Sequence, residues 1–309
     1  AMYSNTTGDS NSAFGRNALY ENTTGGYNTA LGQGALAGSV TSSFNTAVGT
    51  YSLFYNTRGQ WNTAVGFDSL VLNTTGASNT AVGVFALRDN VTGDFNTALG
   101  ASAMQANSTG TDNTAVGYKS LYTNTGSGNT AVGREALYSN AGAAFNTAVG
   151  YHALFSNATG TNNTAVGHDA LELNVSGRYN SAFGRFALNQ YTSGIMNVAI
   201  GYASMIGGSS ESTGSYNTAL GTNTMQSNVS GSYNVAVGYQ SIDDNSTGSY
   251  NTAAGWGSLT KNNTGNYNAA FGMRAGYSPE VSLDSMTSST FIGSGARSNA
   301  DGITNSMAL

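Results

Sequence analysis

Asn62-Thr63-Ala64-Val65-Gly66-Phe67-Asp68-Ser69-Leu70-Val71-Leu72-Asn73-Thr74-Thr75-Gly76-Ala77-Ser78 is one unit of a repeat that runs almost the length of the chain. Its opening, Asn-x-Ala-apolar-Gly, recurs sixteen times, starting at residues 11, 28, 45, 62, 79, 96, 113, 129, 146, 163, 180, 197, 217, 234, 251 and 268. Thirteen of the fifteen spacings are 17 residues. A period this short and this strict is the mark of a solenoid. Helical repeats need about 33–47 residues per unit, and glycines at positions 5 and 15 would break both helices of a pair.

Seventeen residues suit two short strands and two turns. The expected class is therefore all-β, a parallel β-solenoid with one coil per repeat. Numbering from the Asn, the first strand covers positions 17 to 4, as in Trp61-Asn62-Thr63-Ala64-Val65. The second covers positions 7 to 11, Asp68-Ser69-Leu70-Val71-Leu72. Gly66 and Gly76 close the two turns with positive φ. The 42 glycines against a single proline favour such turns. Stacked coils set like residues about 4.8 Å apart. The Asn columns at positions 1 and 12 then form self-satisfying amide ladders.

Strand alternation puts positions 17, 2 and 4 (aromatic, Thr, Val) on one face and positions 1, 3 and 5 (Asn, Ala, Gly) on the other. Alternation alone does not decide which face is inner. The aromatic and Val column is one candidate for the core. The position-3 column is stricter, with Ala in all sixteen copies, among them Ala47, Ala64, Ala81, Ala115, Ala148 and Ala165. Such strictness implies a close approach, either by another chain or by the opposite wall of a very thin coil. These alanines, with Asn45, Asn62, Asn146 and Asn163, are the expected structural and assembly residues.

The repeat fills residues 1–272, read as a regular β-roll. Residues 273–288 hold the only Pro and read as an insertion or module transition. Residues 289–309 carry degenerate copies, Ser289-Thr290-Phe291-Ile292-Gly293 and Asn305-Ser306-Met307-Ala308-Leu309. The chain starts and stops in mid-repeat, which suggests a segment of a longer protein.

Composition narrows the function. Charged residues make up 8%, against about 25% in an ordinary domain. A net charge of −5 argues against a nucleic-acid partner. There is no Cys for disulfides or thiolate sites. No apolar run approaches the roughly 18 residues of a membrane span, so no membrane insertion is expected in this segment. No catalytic constellation recurs, so no enzyme, cofactor or metal is expected. Lys119, Glu135, His152 and Asp169 share position 7 of successive coils; a metal site or acid–base pair would want such a cluster, but the column has no enclosing pocket and neighbouring coils carry Phe85 and Phe186 there, so they read as an exposed turn whose mixed charges ease stacking. Asn-x-Ser/Thr sequons at position 12, such as Asn73 and Asn90, read as ladder residues rather than glycan acceptors. The aromatics Tyr118, Tyr122, Tyr138, Tyr151 and Phe155 are candidates for stacking on surface glycans. Ser209 and Glu211 in the three-residue insertion after Asn197, and Glu280 and Asp284 in the later excursion, are candidate contacts because solenoid insertions often bind.

Asn146-Thr147-Ala148-Val149-Gly150-Tyr151-His152-Ala153-Leu154 resembles the head repeat of YadA-type trimeric adhesins. It also resembles arrays in bacterial and phage fibre proteins that precede a self-cleaving chaperone domain. The resemblance implies a left-handed parallel β-roll, three chains around one axis, displayed outside a cell or on a virion. It departs in period, since the adhesin coil is usually shorter. The expected function is thus an adhesive or structural fibre segment that attaches multivalently. The alternatives are a self-assembling extracellular filament or matrix protein and, less favoured because only a single Thr column recurs, an ice-binding solenoid.

Overall fold

The computed structural model describes residues 1–208, 211–277, 286–297 and 307–308. Among these there is no helix, and every strand pairing is parallel. The chain divides into two compact units, Ala1–Tyr151 and His152–Leu309. Each is a parallel β-solenoid with one coil per repeat. In the first unit the register runs Ala13, Ala30, Ala47, Ala64, Ala81, Ala98, Ala115, Ala131 and Ala148, Ala on Ala without a slip. In the second it runs Ala165, Ala182, Ala199, Ala219, Ala236, Ala253, Ala270, Phe291 and Ala308.

The first predicted strand is present but short, three residues such as Thr63–Val65. The second is mostly not a strand: only its last residues pair in two neighbouring coils, Thr123–Asn124 with Ser139–Asn140. Residues 67–72 form consecutive turns, and the hydrogen bonds explain why. The amides of Gly66 and Asp68 donate back to Val48 and Thr50 of the preceding coil. Those of Leu70 and Leu72 donate forward to Ala86 and Arg88 of the following one. A regular strand keeps alternate amides on one side. Here the direction flips, because Asp68 and Leu70 sit at φ 53° and 50°. The same left-handed geometry recurs at position 17, as at Trp61 with φ 55°.

Positive φ therefore falls largely on non-glycine residues, against expectation. It costs about 1–2 kcal/mol per residue, offset by inter-coil hydrogen bonds and, at position 9, by burial of the leucine at roughly 1.5–3 kcal/mol. Gly66 does adopt φ 134°. Gly76 is required for a different reason. A Cβ there would lie 2.5 Å from Gly93 O and 2.5 Å from Asn73 Oδ1.

The core is also inverted relative to one of the two sequence readings. From the second coil on, the position-3 alanines are buried, as are the position-9 residues, such as Leu53, Leu70, Leu87 and Met104, and the Ala, Ser or Thr of position 8. The aromatics of position 17 face outward. The close approach that restricts position 3 to Ala comes from within the thin coil. One natural exception supports this. Phe291 occupies the Ala column and is fully buried. In the preceding coil Gly276 replaces the usual Leu at position 9, and a Cβ on it would stand 3.1 Å from Phe291 Cδ2. A large residue enters one column where the other gives up its side chain.

The two Asn columns do different work. Position 12 is a true amide ladder. Asn73 Nδ2 donates to Asn56 Oδ1 at 2.7 Å and to Gly76 O at 2.9 Å, and Asn90 repeats the pattern on Asn73. Position 1 closes the coil. Asn62 Nδ2 donates to Gly76 O at 2.8 Å, while Asn62 N donates to Asn45 Oδ1 at 2.9 Å. Both columns are buried, so the sequon asparagines have committed amides. The ladder is interrupted at Ser39 and Tyr191, and the Oδ1 atoms of Asn22 and Asn174 before them lack a partner. Tyr191 spans the insertion: its phenol donates to Asn228 O at 3.1 Å and accepts from Asn228 Nδ2 at 2.6 Å. Complete burial pushes that phenol well above the usual tyrosine range, so it stays protonated.

Candidate functional site

The exposed face is built by strand alternation around each buried Ala. Position 17 precedes the strand and positions 2 and 4 flank the alanine, so all three point away from the core. In the first unit Tyr27, Phe44 and Trp61 stack with ring centroids 5.0 and 6.0 Å apart. In the second, Tyr216, Tyr233, Tyr250 and Tyr267 stack at 4.7, 4.9 and 4.9 Å, nearly coplanar. These rings remain 39–59% exposed. Beside them runs the position-4 column, with Leu31, Leu99, Val149, Phe183, Ile200 and Val237 also exposed. Repetition of a 17-residue unit thus produces a ridge of aromatic and aliphatic side chains on the surface of each unit.

The chain pattern held a signal for this assignment. Position 17 carries Tyr, Phe and Trp, but also Ser78, Asp112 and Asn162. A core column would not accept an aspartate in that way. Position 9 carries only Leu, Met, Ile and, opposite Phe291, Gly276.

The expected assembly residues lie elsewhere. Ala47, Ala64, Ala81, Ala115 and Ala148 in the first unit and Ala165 in the second are inside their own coils, fully buried. Asn45, Asn62, Asn146 and Asn163 are buried as coil-closing residues. A partner chain cannot reach either column while the coil is intact.

The glycan candidates divide between the units. Tyr118, Tyr122, Tyr138 and Tyr151 come together in the first around two cations. Tyr122 and Tyr138 stack at 5.1 Å. The Lys119 ammonium lies over Tyr118, Tyr122 and Tyr138 at 5.3, 5.5 and 5.9 Å. The Arg134 guanidinium lies over Tyr118 and Tyr151 at 5.7 and 5.8 Å. Cation–π contact of this kind holds rings in place and leaves a mixed aromatic and cationic surface. Phe155, in the second unit, packs on the His152 ring at 4.7 Å. Glu211 is exposed in the insertion. Ser209, Glu280 and Asp284 lie outside the described residues.

A further cluster involves Asp243, Asp244 and Lys261. Lys261 Nζ meets Asp244 Oδ2 at 2.6 Å. Burial, reinforced by the neighbouring Asp244 charge, pushes the Asp243 carboxyl up to about 6. The grooves nearby are shallow; one, of about 130 Å³, is lined by Trp256, Thr260, Lys261, Arg274 and Tyr277. The chain matches no protein-family model, and comparison with curated proteins returned no match.

Proposed function

We propose that this chain is a structural and adhesive segment of an extracellular fibre, self-associating through the exposed ridge of positions 17 and 4, with a homotrimer as the assembled form. The observation that carries this reading is the ridge itself. It joins exposed apolar residues of position 4 to runs of stacked rings at position 17, broken at Ser78, Asp112 and Asn162, and an extended exposed apolar surface marks an interaction site. A lateral ridge favours side-by-side association of chains over end-to-end stacking, so the fibre reading ranks above an open filament. The resemblance of the repeat to trimeric adhesin heads points the same way, with cell-surface or virion display as its setting. Attachment is multivalent: shallow contacts, such as the Tyr118–Tyr122–Tyr138–Tyr151 surface on a glycan, gain strength from repetition. No catalytic step is assigned to the chain.

Sedimentation of the full chain over a wide concentration range tests the assembly. A discrete trimer is expected. A monomer at all concentrations overturns the proposal, and mass that grows without limit favours the filament. Tyr233→Ser with Tyr250→Ser is expected to weaken the trimer and leave the circular dichroism of the coil unchanged.

A further inference from the structure

We infer that His152, Asp169 and Glu172 form a binding site for a divalent transition-metal ion of the Zn²⁺ type. The 17-residue period places His152 and Asp169 at position 7 of successive repeats and Glu172 at position 10. Sequence reasoning takes position 7 for a solvated charged turn. Instead Asp169 is only 9% exposed, and its Oδ1 is buried with no hydrogen-bond partner. A buried carboxylate oxygen without a partner is costly. This one faces the imidazole: His152 Nδ1 lies 3.7 Å from Asp169 Oδ1 and 3.8 Å from Glu172 Oε1. Both distances are too long for hydrogen bonds, and one ring nitrogen can donate to only one of two converging carboxylates. The three donor atoms lie within 4.8 Å of one another. Metal–ligand bonds of about 2.0–2.2 Å in a tetrahedron separate donors by roughly 3.3–3.6 Å, within a few tenths of an ångström of the two distances given.

The surroundings orient these ligands as a metal requires. Asp169 Oδ2 is held by His168 Nδ1 at 2.8 Å, which leaves Oδ1 for the ion. Glu172 Oε2 accepts from Asn189 Nδ2 at 2.9 Å, which leaves Oε1. Asn189 Nδ2 also reaches the Asp169 carbonyl at 3.0 Å. Phe155 packs against the His152 ring. Outer hydrogen bonds of this type fix ligand geometry, and their loss weakens metal binding about 10–100-fold. One imidazole and two carboxylates suit Zn²⁺, Co²⁺ or Mn²⁺; an all-oxygen set would suit Ca²⁺ or Mg²⁺. Solvent fills the remaining coordination position. The ion ties together residues from successive coils, so binding stabilises the stack whether or not the chain forms a fibre.

The test is calorimetric titration of the chelator-treated full chain with Zn²⁺, backed by the visible spectrum of Co²⁺. One equivalent is expected to bind, with a raised midpoint of thermal unfolding. Glu172→Gln, a partly exposed position that keeps the hydrogen bond to Asn189 within reach, is expected to weaken binding at least about tenfold, and Asn189→Ala about tenfold. His152→Gln is expected to abolish the Co²⁺ d–d bands. Absence of stoichiometric binding, equal affinity in Glu172→Gln and the parent chain, or binding of Ca²⁺ in preference to Zn²⁺ overturns the assignment. Circular dichroism of Glu172→Gln separates loss of the site from loss of fold.

Discussion

Replacing Ala81 with Phe places an aromatic ring in the interior column of a coil that has no spare volume. Ala81 is fully buried and pairs in register with Ala64 and Ala98. Overpacking a well-filled core costs about 1–3 kcal/mol and more when the added group is a ring, so Ala81→Phe alone is expected to cost at least about 3 kcal/mol. The Phe291–Gly276 pair shows how the coil tolerates the same ring: the leucine of the preceding coil is gone. The equivalent partner of residue 81 is Leu70. Leu70→Gly alone leaves a cavity worth about 2–5 kcal/mol. It also relieves a left-handed residue at φ 50°, which returns roughly 1 kcal/mol. If the two columns share one thin interior, the double variant is less destabilised than the sum of the singles by about 2–3 kcal/mol. Solenoids need not unfold in one step, so the assay is hydrogen exchange at the amides of residues 63–87, with urea midpoints as a check. Additive losses would refute the packing argument, because they would mean that the ring introduced at position 81 and the Leu70 side chain never compete for the same space.

Other expectations follow from individual contacts. Ser39→Asn with Ser42→Gly restores the consensus where the ladder breaks and gives Asn22 Oδ1 a donor; it should raise stability by about 1–2 kcal/mol, read as a shift in urea midpoint. Tyr191→Phe removes one of the two acceptors of Asn228 Nδ2, leaving Gly231 O, and the donor to Asn228 O, in a fully buried setting; it should cost about 1–3 kcal/mol, with faster exchange around residues 212–229. Asp243, with its carboxyl pushed up to about 6, favours the folded state when protonated. Its contribution is complete below about pH 4 and is lost as pH rises through about 6. Asp243→Asn should therefore stabilise the chain at pH 7.5, by about 1 kcal/mol after allowing for solvent screening, and flatten the thermal midpoint between pH 5 and 7.5.

Coil length, parallel pairing and register were legible from spacing alone, because a fixed 17-residue period can be satisfied only by stacking like on like. The roles of Gly76 and the position-12 asparagines were half legible. Their regular placement along the chain announced a tight turn and a ladder, but close approach rather than positive φ is what Gly76 supplies. The inner and outer faces were not decided by alternation, which is symmetric. The deciding information was the tolerance of position 17 for Asp112 and Asn162, and the pairing of Phe291 with Gly276. The turns at positions 7 to 11 were not legible as turns, because Leu at φ 50° is disfavoured in isolation. Here neighbouring coils impose it through hydrogen bonds that no local propensity records. The His152–Asp169 column was legible as stacked charged residues but not as an enclosed site with Glu172, for a similar reason: position 7 looks like a solvated corner until the turn geometry folds Asp169 inward.

Because the chain contains no native Cys, single cysteines report the two faces directly. Ala98 is fully buried and Phe95, three residues earlier, is 63% exposed. Maleimide labelling of Ala98→Cys and Phe95→Cys, before and after dilution to dissociate any assembly, is the most direct measurement. The account predicts that residue 95 labels rapidly in the dissociated chain, whereas residue 98 stays protected in both states and reacts only on unfolding. Labelling of residue 98 as soon as the assembly dissociates would contradict it, since that would place the alanine column between chains instead of inside the coil.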